Sequence, residues 1–167
     1  MAWLGKAIAA ALLAHLGLAL SACGGAQSSG GAGDPQILVD GSSILIVEDL
    51  DDPTPVKIHF ELDSHVLRET SHHPLAVLAD FVKSRDDYAL IEVHGHSDER
   101  GSEQYNRELS TRRAQSVIDY LVGEGVERER LRPRGFGSSR PAVQGSGESA
   151  WSQNRRVEFV LVDVENS

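Results

Sequence analysis

Two opposite charges carry the first candidate chemistry in this sequence. Asp98 and Arg113 lie in the stretch HGHSDERGSEQYNRELSTRRA, residues 94–114. A carboxylate can hold an ammonium, and a guanidinium presents a planar fork to a carboxylate. Placed on either side of a turn, the two would form an internal ion pair or a site for a zwitterion, and spacing alone leaves both open. The same stretch reads His94-x-His96-x-Asp98. Alternation on a strand end would turn these three donors to one face. That raises metal-dependent hydrolysis as a remote alternative, superficially strengthened by His72-His73. A second ligand set of the kind a hydrolase uses is missing, and there is no G-x-S-x-G elbow. No metal, no cofactor and no catalytic residue are expected.

The elements that must position these residues can be read from periodicity. Residues 89–93 (ALIEV) form an apolar run of strand length that ends where His94 begins. Residues 104–122 read as a long helix, ended by Gly123 and Gly125. On a wheel of 100° per residue, Leu109, Ala114, Val117, Ile118, Leu121 and Val122 define its inner side. Arg113 falls inside that arc, with Asn106 two turns earlier on the same side. Arg112 points outward, and Arg107 lies at the frayed start. A guanidinium on a core-facing stripe must find a partner, and Asp98 is the candidate.

Around this unit, residues 37–39 and 44–47 flank a turn and read as a hairpin. Residues 48–52 are acidic, and Pro53 and Pro55 interrupt structure there. Residues 56–62 alternate enough to be a strand. Residues 74–83 place Leu75, Leu78, Ala79 and Val82 on one stripe, with Ser71 as a possible cap and Pro74 in the first turn. Residues 131–136 are extended, 143–150 form a Gly/Ser-rich surface loop, and 156–164 alternate as a final strand. The order β–α–β–α–β predicts an α/β (α+β) sandwich with helices packed on one face of a small mixed sheet.

The chain has 167 residues and a net charge of −9. No basic patch stands against that charge, so nucleic acid is not an expected partner. The single cysteine, Cys23, excludes an intramolecular disulfide. It follows a short apolar run with a weakly positive start, the pattern of a secretory signal over residues 1–22. Leu20-Ser21-Ala22-Cys23 resembles a bacterial lipobox, which implies lipidation of Cys23. Gly24, where an aspartate would alter sorting, implies outer-membrane delivery. Residues 23–36 then act as a lipid-anchored Gly/Ser-rich tether, whose ten residues 24–33 span roughly 17 Å at about 5–6 Å × √n.

The segment GHSDERGSEQYNRELSTRRAQSVIDYLV resembles the OmpA-like peptidoglycan-binding domain, whose pattern runs GHTDxxGsxxYNxxLSxxRAxxVxxyL. Phe60-Glu61-Leu62-Asp63-Ser64, Gly135-Phe136-Gly137 with Pro141, and Asn154-Arg155-Arg156-Val157-Glu158-Phe159 match its flanking segments. The resemblance covers residues 56–162 and implies a domain at 56–164, preceded by a hairpin and loop at 37–55. It implies an outer-membrane lipoprotein, not an enzyme, that binds the diaminopimelate-bearing peptide stem of peptidoglycan. Asp98 would take the ammonium and Arg113 the carboxylate. Asn106 would add neutral hydrogen bonds, main-chain groups near Phe60 and Leu109 would shape the pocket, and Arg156 would support it. His96 would be a hydrogen-bonded core residue. TolB is the implied periplasmic partner; the alternative is a lipoprotein of a secretion or motility apparatus that uses the same domain. Ser97 and Glu61 depart from the pattern's threonine and aspartate.

Overall fold

The computed structural model describes residues 34–40, 43–47, 55–61, 63–85 and 90–162. The signal segment, Cys23, residues 24–33 of the tether, residues 41–42 and the acidic stretch 48–52 lie outside the described residues, and the expected tether boundary at 36 falls inside the first strand, Gln36–Asp40. The elements run β1 (Gln36–Asp40), β2 (Ser43–Val47), α1 (His72–Lys83), β3 (Leu90–His96), α2 (Glu103–Gly123), β4 (Leu131–Gly137), α3 (Glu148–Asn154) and β5 (Val157–Val162). The expected hairpin forms, with Asp40 paired to Ser43. The five strands make one mixed sheet in the order β1-β2-β5-β3-β4, in which only β3 and β4 run parallel.

Alternation divides the sheet into two faces. Ile44 and Ile46 of β2, Ile91 and Val93 of β3, and Phe159 of β5 join Leu75, Leu78, Ala79 and Val82 of α1 in one apolar core. Ala114, Val117, Ile118 and Leu121 of α2 complete it. Val122 does not belong to it: its side chain is exposed although Leu121 beside it is buried, because about 100° further round the helix it has left the core-facing arc. The helix stops as Glu124 N–H closes on the Tyr120 carbonyl and Gly125 takes φ +95°.

Two glycines let α2 lie directly on the strands. A Cβ on Gly95 would sit 2.2 Å from the Ser110 carbonyl oxygen, and one on Gly135 would sit 2.6 Å from the Thr111 backbone nitrogen. The pattern glycines therefore mark a backbone contact between sheet and helix. The opposite face of β3 carries Glu92, His94 and His96.

Three expectations are corrected. Residues 56–62 are not a regular strand: Pro55 and Phe60 make single bridges, to Val47 and Leu67, and Glu61 N–H pairs with Val66 just downstream. Val56 N–H reaches the Ile46 carbonyl of β2, and from His59 onward the segment bonds to its own continuation instead of pairing along the sheet. Ser71 is not a side-chain cap for α1; its hydroxyl accepts the His59 N–H at 2.7 Å and ties the irregular segment to the helix start. Residues 148–150 are not loop, because they open the helix α3.

Candidate functional site

The loop between β3 and α2 is built by its own side chains. Ser102 caps α2, its hydroxyl accepting the Tyr105 N–H at 3.2 Å. Gly101 turns the chain with φ +91°. Asn106, buried on the first turn of α2, donates its amide to the carbonyls of Arg100 at 2.8 Å and Asp98 at 3.3 Å. Asp98 is thereby fixed past the end of β3, 5% exposed.

Asp98 does not pair with Arg113. Arg100 donates its Nε to Oδ1 at 3.1 Å and a terminal nitrogen to Oδ2 at 2.7 Å, and Arg155 reaches Oδ2 at 2.9 Å. Burial pushes the carboxyl's pKa up, but the bonds from Arg100 and Arg155 outweigh it and hold Asp98 at about 2. Arg155 also binds Glu148 on α3. Trp151, one turn later, donates to Glu99 at 3.1 Å and lies 4.3 Å beneath the Arg100 guanidinium. The short helix thus clamps the loop from outside.

Arg113 goes elsewhere. Its Nε donates to the Ser64 carbonyl at 3.0 Å, and its guanidinium stands 5.1 Å over the Phe60 ring. Among the described residues no carboxylate lies within ion-pair distance of it. Burial lowers its pKa from the ordinary arginine value. The expected partner is missing because Asp98 is taken by Arg100 and Arg155, and Ser64 and Phe60 supply Arg113 with a carbonyl and a ring instead.

Arg113, Phe60 and Arg156 line one cleft of about 460 Å³, together with Arg68, Arg100 and Arg155. Glu61, Asp63 and Glu148 are its acidic members, and His59, His96 and Ile58 complete the described wall. Glu61 faces Arg68 at 3.4 Å, both well exposed. Asp98 lies beneath Arg100 and Arg155, and neither Asn106 nor Leu109 lines the cleft. The wall is thus richer in guanidinium than in carboxylate, which suits a ligand with at least one anionic group.

Sequence reasoning missed Arg100, Arg155 and the contribution of α3. Arg155 stands beside the chosen Arg156, and a change of side at the start of β5 decides which reaches Asp98. Asp98 also lies outside the His94–His96 pair, so the alternating metal triad does not assemble. His96 is buried at 2% exposure, yet neither ring nitrogen has a hydrogen-bond partner among the described residues. The expectation of a hydrogen-bonded core histidine is corrected: the Phe136 ring stacks on it instead, at 5.3 Å between centroids.

The sequence profile of the OmpA family matches residues 59–155. A peptidoglycan-associated lipoprotein of Pseudomonas aeruginosa is 35% identical over 162 residues, covering 93% of this chain and 95% of its own length. One of Brucella melitensis is 36% identical over 105 residues; the match spans 63% of this chain and only 62% of that relative's length. Among solved structures, the peptidoglycan-associated lipoprotein of Burkholderia pseudomallei aligns with a TM-score of 0.59 at 30% identity, over 66% of this chain and 97% of its own. Fold, glycine contacts and profile agree over the same residues, and the chain belongs to the OmpA family.

Proposed function

We propose that the chain is a non-enzymatic lipoprotein of the outer membrane that holds the peptide stem of peptidoglycan in the arginine-lined cleft. Lipid on Cys23 grips the membrane, and the domain grips the wall. The observation that carries this reading is Arg113, a half-buried guanidinium on the cleft wall with a carbonyl and a ring as partners and no carboxylate among the described residues. A charge so placed is stabilised by an incoming anion.

The free end of diaminopimelate carries an ammonium and a carboxylate on one carbon. Arg113 takes the carboxylate as a fork. The ammonium takes Asp98 in place of Arg100, whose side chain is 53% exposed and can swing into solvent. Arg155 stays on Asp98 and Glu148 and keeps the loop in place. Phe60 and Arg156 border the bound group. Asn106 acts through the loop it anchors, and Leu109 through packing. The names of the relatives, peptidoglycan-associated lipoproteins, support wall binding by this chain. TolB, the Tol–Pal system, envelope integrity and cell division belong to the same reading.

The test is titration of the protein with a stem peptide containing diaminopimelate and with its lysine analogue. Lysine lacks the second carboxylate, so the reading expects affinity to fall by about tenfold or more, the worth of one charged hydrogen-bond pair. Equal affinity for the two peptides would remove Arg113 from the site.

A further inference from the structure

On the sheet face opposite the helices, β3 and β5 bring His94 and His96 against Glu158. His94 and Glu158 are directly paired across the strands, and His96 lies two residues further along β3. One donor atom from each of the three lies within 4.8 Å of the others. Glu158 Oε2 stands 3.4 Å from His96 Nε2. The contact misses hydrogen-bond geometry, and neither nitrogen of the buried imidazole has a hydrogen-bond partner among the described residues. An unpaired buried polar group is costly and calls for a ligand.

We propose that His94, His96 and Glu158 form a binding site for a divalent transition-metal ion, zinc above all. Two imidazoles and one carboxylate are a donor set that zinc accepts, with a fourth position left to water. Ligand atoms about 2.0–2.2 Å from zinc stand about 3.3 Å apart in a tetrahedron. The surroundings suit the set. Phe136 packs against both rings, edge-on to His94 at 4.8 Å and stacked on His96. Glu92 Oε2 lies 3.0 Å from His94 Nε2, the kind of outer-shell carboxylate that orients a metal-binding imidazole. Arg156 holds Oε1 of Glu158 at 2.6 Å and leaves Oε2 for the metal.

The site is distinct from the triad suggested by sequence spacing, because Asp98 is taken by arginines and the third donor comes from β5. It does not rest on stem-peptide binding, and either proposal can fail alone. The test titrates the full chain in detergent micelles with zinc chloride against a chromophoric chelator. The expected result is one zinc per chain, not displaced by magnesium or calcium, whose hard ions prefer oxygen donors. His94→Ala and Glu158→Gln should each weaken binding by at least the about 10–100-fold that loss of an outer-shell partner costs. These positions are chosen because His96 is buried and its replacement endangers the fold. Zinc should also raise the melting temperature of the parent chain and not of His94→Ala. The double change His72→Ala, His73→Ala should leave the affinity as it was. Unchanged zinc affinity in folded His94→Ala and Glu158→Gln, or loss of binding in the His72/His73 variant alone, overturns the site.

Discussion

At the scale of single residues, the cleft separates charges that are satisfied from one that is not. Asp98 is doubly paired, while Arg113 leans on a carbonyl and a ring. Arg113→Lys keeps the charge but loses the fork, and lysine is not a substitute at a bidentate site. It should lower affinity for the diaminopimelate stem by about tenfold or more, with the melting temperature little changed, as read by paired titration and thermal unfolding. Arg100 has the opposite role in the proposed mechanism, since it occupies the carboxylate that the ammonium needs. Arg100→Ala should therefore strengthen stem-peptide binding in the same titration. Weaker binding by that variant would move the ammonium away from Asp98.

At the scale of elements, the site depends on how closely α2 approaches β3 and β4. Gly95 meets the backbone of Ser110, which has no flexible end to move aside. Gly95→Ala should lower the urea midpoint by an amount equal to about 1–3 kcal/mol, the usual cost of overpacking. Asn106→Ala removes the two bonds that hold the Asp98–Arg100 carbonyls. It leaves buried acceptors unmet at about 1–3 kcal/mol. It should also weaken stem binding, although Asn106 does not line the cleft. The strand–turn–helix unit was legible because its apolar period is local. The segment at 56–62 and the helix α3 were not. The first has a strand-like pattern but spends its hydrogen bonds on Ile46, Val66, Arg68 and Ser71, and the second is short and opens with the Glu148-Ser149-Ala150 that completes a Gly/Ser-rich run.

At the scale of the whole molecule, the proposal joins a lipid anchor to a wall-binding domain. Cys23→Ser should move the protein from the membrane fraction to the soluble periplasmic fraction, while pull-down with purified sacculi persists. Retention of the variant in washed outer membranes would place the anchor elsewhere. Loss of both would tie the domain's binding to its attachment.

By itself the sequence determined the family pattern, the hairpin, the two long helices, the core stripe of each, and the membership of Arg113 in the inner arc of α2. These are local or periodic properties, set by side-chain spacing on a helix or strand. Tertiary structure decided the partners. Asp98 and Arg113 seemed matched because they are opposite charges flanking one turn. The fold gives Asp98 to Arg155, 57 residues away, and to Arg100 beside it, and gives Arg113 to Ser64, 49 residues away. Charge pairing depends on distance in space, and the crossings that bring β5 and the 60–64 segment to the end of α2 have no period along the chain.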